Sequence, residues 1–95
     1  MSAPDFLVHD KEDTVGVVVV ETVTAGSTLR GLSMESGETQ FMDARTDIPL
    51  GHKIALKDLT EGETVLKYGH DIGQIVVAVR AGDHVHVHNM KTKRW

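Results

Sequence analysis

The longest apolar stretch runs from Val15 to Val23, and within it Val17 to Val20 is uninterrupted by a polar residue. A short run of β-branched residues predicts a strand buried on both faces. Such residues are poor helix formers, and no capping pattern precedes them. Around this run, shorter apolar segments alternate with turn residues. Phe6, Leu7 and Val8 place a strand over Asp5 to His9, ahead of the charged turn Asp10 to Asp13. Strands over Thr28 to Glu35 and Thr39 to Ala44 are separated by Ser36-Gly37-Glu38. Ile48-Pro49-Leu50-Gly51 predicts a bend, because Pro49 lacks an N–H for a central ladder.

His52 to Lys57 alternates His52, Ile54 and Leu56 with Lys53, Ala55 and Lys57, the pattern of a half-buried strand. Asp58 to Gly62 reads as a turn and Glu63 to Tyr68 as a strand. Gly69-His70-Asp71-Ile72-Gly73 reads as a loop bracketed by glycines. Ile75 to Val79 predicts a further buried strand, Arg80 to Asp83 a turn, and His84 to Asn89 the last strand. Three segments share one form: an apolar residue, two others, Gly, two others, then an apolar residue. They are Val23 to Leu29 around Gly26, Leu59 to Val65 around Gly62, and Val79 to Val85 around Gly82. Glycine permits positive φ at a tight turn, and the flanking apolar residues anchor both chain directions. No period of 3.6 persists beyond two turns. The expectation is one all-β domain of short bent strands over residues 1–95, with at most short helical turns.

A chain of 95 residues without cysteine has neither a disulfide nor a thiolate metal site to supplement a small core. Small domains of this kind often lean on a partner subunit. A net charge of −4 argues against general nucleic-acid binding, which needs a basic face. No apolar run reaches the length of a membrane helix, and Met1 to Asp5 lacks the features of a signal peptide. A cytoplasmic location is the expectation.

The chemistry-bearing residues concentrate near the end. In the predicted last strand, His84, His86 and His88 share one face while Val85 and Val87 face the core. Two histidines at i and i+2, such as His84 and His86, can converge on one zinc ion. A third lies ~13 Å along the strand from the first, too far to join them readily. Asp83 and Asn89 flank the row as oxygen donors or orienting partners. A solvated strand face and a wall of a partner's active site are the competing explanations. His52 and His70 each adjoin a glycine, where backbone can approach a ligand closely, and they read as separate from the row. Lys67 and Tyr68 offer a cation and a phenol that suit a carboxylate or sulfonate. Gly69 to Gly73 lacks the Gly-Lys-Ser/Thr ending of a phosphate loop. No serine elbow or metalloprotease motif is present. An enzyme subunit, a binding module and a structural adaptor all remain open on these grounds.

Three segments resemble one family. Ile48-Pro49-Leu50-Gly51-His52-Lys53-Ile54-Ala55-Leu56, Lys67-Tyr68-Gly69 with Ile72-Gly73, and Gly82 to Asn89 look, in order, like the motifs of the altronate dehydratase family. The resemblance is to its small SAF domain, which implies a β-clip fold. Family enzymes dehydrate sugar acids such as altronate and galactarate with a large second domain that is not in this chain. In two-chain members that large part is another polypeptide. The opening Phe6 to His9, the Val15 to Val20 run and the ending Lys91 to Trp95 look most like the branch that eliminates sulfite from (2R)-sulfolactate.

The resemblance implies catalytic roles for His86 and His88, and substrate contacts from His52, Lys67, Tyr68 and Asn89. It implies iron or another divalent metal, held mainly by the large subunit, so no metal ligand is assigned in this chain beyond the spacing of His84 and His86. The implied partners are that large catalytic subunit and a small 2-hydroxy acid, with no nucleic acid and no membrane. The tail 90–95 is expected to contact the partner or to be flexible. The branch-level alternatives are a sugar-acid hydro-lyase subunit or, in a different class, a standalone SAF module that binds a small anion or sugar acid.

Overall fold

The computed structural model describes residues 3–10, 12–67, 70–86 and 88–91. Among them there are eleven short strands and no helix, in keeping with the expected all-β domain. The first five are β1 (Phe6–Val8), β2 (Val15–Val18), β3 (Thr22–Val23), β4 (Thr28–Ser33) and β5 (Thr39–Asp43). They are followed by β6 (Ile48–Pro49), β7 (Lys53–Ala55), β8 (Thr64–Lys67), β9 (His70–Ile75), β10 (His84–Val85) and β11 (Met90–Lys91). A six-stranded sheet runs in the order β10-β7-β2-β1-β4-β5. A three-stranded sheet runs β11-β9-β8, and β3 pairs with β6 alone. All of these pairings are antiparallel except that of β1 with β4. No helix among the described residues is long and apolar enough to cross a membrane.

Four of the expected elements differ. The run 15–23 is two strands, because β2 leaves the sheet after Val18 and Val19 is exposed. The predicted loop 69–73 is largely strand: β9 begins at His70 and pairs with β8 across a register shift between Val65 and Leu66. That irregularity leaves Ile72 as the extra residue, while Gly73 pairs with Val65. The predicted strand 75–79 ends at Ile75. Val76 and Val77 are exposed, and Val79 makes only an isolated bridge to Leu59. The last strand stops at Val85, where the Asn89 and Met90 N–H groups both donate to the His86 carbonyl, at 3.1 and 2.9 Å. Tyr68, Gly69, Val87 and 92–95 lie outside the described residues, and the described part of the tail is β11, with Met90 buried.

The repeated glycine turn organises the fold. Gly26, Gly62 and Gly82 have φ of 90°, 93° and 93°. A fourth copy, Ile48-Gly51-Ile54, has φ of 83° at its glycine. In each copy the glycine N–H donates to a carbonyl on a neighbouring segment: Ala44, Ile75, Ala55 and Val18 respectively. The same neighbour's N–H donates back to the carbonyl of the residue after the glycine. All eight flanking apolar residues are buried. The turns also pair, Val23 opposite Ile48 and Leu59 opposite Val79. Two of the four deliver the histidines: Gly51 immediately precedes His52, and Gly82 stands two residues before His84.

Two apolar cores result. Phe6, Val18, Ile48 and Ile54 belong to one, while Val15, Ala55, Val65, Ile75 and Val85 belong to the other. Consecutive residues of β7, Ile54 and Ala55, thus enter different cores from opposite faces, so the half-buried alternation expected there is replaced by a strand covered on both sides. Thr14 ties the two larger sheets together. Its N–H donates to the Leu66 carbonyl at 3.0 Å, its Oγ1 accepts from the Leu66 N–H at 2.9 Å, and its carbonyl accepts from the Leu56 N–H at 2.9 Å.

Candidate functional site

β7 and β10 pair antiparallel with Ile54 opposite His84 and Lys53 opposite Val85. Extending that register by one residue sets His52 opposite His86, although the ladder itself ends at Val85. Their rings stack with centroids 3.8 Å apart and planes 21° from parallel. Nδ1 of His52 lies 2.7 Å from Nε2 of His84, a hydrogen bond between two imidazoles. The His84 ring also lies 5.8 Å from that of His86 and 4.9 Å from that of His88. Four histidines therefore form one cluster, with the His84 ring centre within 5.8 Å of the other three.

Backbone clamps fix the cluster. Asn89 is buried, its Oδ1 accepting from the His86 N–H at 2.9 Å and its Nδ2 donating to the His84 carbonyl at 2.8 Å. Thr46 Oγ1 accepts from the His84 N–H at 3.0 Å. The Arg45 N–H donates to the Gly82 carbonyl at 2.9 Å, and its guanidinium lies 3.6 Å from the Asp83 carboxylate. The turn before His84 is thereby held from the 45–46 segment as well as from within.

Burial, and then the neighbouring charges of His88, His52, His86 and Lys53, push His84 down to about 4. Burial, His52, Lys53 and His88 lower His86 in the same direction. At neutral pH both rings are neutral and can accept a proton or donate an electron pair. Lys53 is lowered by burial and by the charge of Lys67. Nδ1 of His86 is buried with no hydrogen-bond partner among the described residues. The nearest nitrogens of His52, His84 and His86 all lie within 4.8 Å of one another, close enough for one ion.

The structure brings together His52, His84, His86 and His88; the charge of Lys53 lowers His84 and His86, and that of Lys67 lowers Lys53. His52, read as separate, is part of the row. His84 and His86 converge as the spacing allowed, but in a strand end and turn rather than along a straight strand. His88 is exposed and reaches only His84. Each end of the Asn89 amide holds one backbone group of the histidine segment. Tyr68 lies outside the described residues. His70 is exposed on β9 and makes none of the ring contacts. Lys53 is the residue that sequence reasoning missed; its signal was its place beside His52 in the alternating segment. A separate cavity of about 570 Å³, lined by Val8, Asp13, Glu35, Glu38, Leu56 and Lys57 among others, shares no residue with the cluster.

Comparison with known proteins completes the picture. The model of the altronate/galactarate dehydratase SAF domain matches residues 4–93. The chain is 56% identical over 91 residues to the (2R)-sulfolactate sulfo-lyase subunit alpha of Chromohalobacter salexigens, covering 96% of this chain and 97% of that one. The subunit of the same name from Paracoccus pantotrophus is 57% identical over 54 residues, 57% of this chain and 81% of its own length. Altronate dehydratase of Escherichia coli is 44% identical over 57 residues, which are 60% of this chain and 12% of that enzyme.

Proposed function

The chain belongs to the altronate/galactarate dehydratase SAF-domain family, and from that premise we propose that it is the small subunit of a two-chain lyase that eliminates sulfite from (2R)-sulfolactate. The observation that carries this reading is the end-to-end match, 96% of one chain against 97% of the other, to a subunit alpha of that activity. By contrast, the altronate dehydratase similarity occupies 12% of a much longer enzyme.

The reaction removes the proton on the carbon bearing the hydroxyl, next to the carboxylate. The C–S bond on the adjacent carbon then breaks, and sulfite leaves with its electron pair. The resulting enol takes up a proton on carbon and becomes pyruvate. Chemistry of this kind needs a base, stabilisation of the enolate-like charge, and cations for two anionic groups. The neutral rings of His84 and His86 offer electron pairs to a proton or to a metal ion, with the base for the first step expected from the large subunit. Lys53 and Lys67 are suited to the carboxylate and sulfonate. A divalent metal, when bound, supplies Lewis-acid stabilisation of the developing charge.

Co-expression with a large subunit of the same family is expected to give sulfolactate-dependent release of sulfite and pyruvate, and the 95-residue chain alone is expected to give none. Turnover by the isolated chain would overturn the subunit reading. The 44% identity to an altronate dehydratase favours one alternative, a hydro-lyase subunit. Loss of water from altronate by the same complex, with no sulfite from sulfolactate, would select it.

A further inference from the structure

We infer that His52, His84 and His86 form a three-imidazole site for one divalent transition-metal ion carried by this chain itself. The three ligands come from two different glycine turns and from the turn after β10, and their nitrogens already lie within 4.8 Å of one another. Metal–nitrogen bonds of about 2.0–2.1 Å bring such nitrogens to roughly 3.0–3.4 Å apart. The remaining closure is within the reach of ring rotation, with His52 and His84 already in contact. A buried imidazole nitrogen without a partner is costly unless something completes it. Nδ1 of His86 is such an atom. The backbone is held independently of the rings, by Asn89 and Thr46 around His84 and His86 and by Val18 and Pro49 at His52. Loss of a ring would therefore leave the frame of the site standing.

Three nitrogen ligands and no thiolate suit zinc, iron, cobalt or nickel rather than calcium or magnesium. Three protein ligands leave a coordination position free, as in catalytic rather than structural sites. This site stands whichever leaving group the complex releases, and its test does not depend on activity.

The full 95-residue chain is titrated with cobalt(II), reading the visible absorption of the bound ion, and with zinc(II) by calorimetry. One equivalent is expected to bind, and zinc is expected to raise the thermal midpoint. His52→Ala and His86→Ala are each expected to weaken binding by more than about tenfold and to lose the zinc-dependent stabilisation. Far-UV circular dichroism checks that the variants remain folded. His70→Ala, which removes an exposed histidine outside the cluster, is expected to change neither readout. Absence of a cobalt band at millimolar metal, or equal weakening by His70→Ala, would overturn the site. The cluster would then be a hydrogen-bonded stack of imidazoles and no more.

Discussion

Replacing Asn89 by Ala tests whether the residue that ends the histidine motif is a clamp or a ligand. Its side chain is 6% exposed, and its two polar atoms hold the His86 N–H and the His84 carbonyl at 2.9 and 2.8 Å. Truncation leaves one donor and one acceptor without partners. A lost hydrogen bond is worth about 1 kcal/mol where water can enter, and an orphaned buried group costs about 1–3 kcal/mol. The segment sits at the edge of the domain, so a total of about 2–3 kcal/mol is expected. For a domain of this size that is a fall of roughly 10–20 °C in Tm. Urea unfolding should show a lower midpoint with an unchanged slope, since the surface exposed on unfolding is the same. Asn89→Asp keeps the acceptor but sets a carboxylate oxygen against the His84 carbonyl, so it should be no milder. A loss below about 0.5 kcal/mol would refute the clamp. Unchanged stability with a raised KM in the assembled lyase would instead make Asn89 a substrate ligand, as the family motif implies.

Stability should also fall with acid. The folded pKa of His84 is about 4 against 6.5 unfolded, so the unfolded chain binds the proton more tightly. The contribution is complete above 6.5 and is lost as pH falls toward 4. The full shift corresponds to ~3 kcal/mol, reduced to ~1–2 because the ring is partly solvated and the repulsion is screened. His84→Gln should flatten that part of the pH–stability curve, and an unaltered curve would refute the assignment. Gly31→Ala places a Cβ 2.2 Å from the Phe6 ring and should cost about 1–3 kcal/mol by overpacking, read from chemical denaturation. Gly82→Ala and Gly26→Ala share a positive φ, but only at Gly82 does the Cβ meet a backbone carbonyl, 2.3 Å away on Asp43. Gly26→Ala should cost about 1–2 kcal/mol and Gly82→Ala distinctly more, and equal losses would show that strain alone matters. Lys53→Met should raise KM for sulfolactate about 10–100-fold and move the His84 titration upward in a histidine NMR series. An unmoved titration would contradict the proximity of the two groups.

The positions of β1, β4, β5 and β7, to within a residue or two, follow from apolar runs and the turn residues between them. So do three of the four glycine turns, because a positive φ and two flanking anchors are local requirements written in adjacent residues. The family was legible for a related reason, since its motifs are the turn glycines and the residues those turns present. What failed depended on neighbours distant in the chain. Val76 and Val77 have the composition of a buried strand, yet nothing packs over them once β9 ends at Ile75. The 69–73 segment looks like a loop until β8 pairs with it. His84, His86 and His88 were legible as a row, but their partner His52 stands 32 residues before His84. Only the β7–β10 register and the turn at Gly51 bring that ring against the others. Periodicity reports which face a side chain takes within its own strand. Which strand lies alongside, and hence which imidazoles meet, is decided by sheet pairing between residues far apart in the chain.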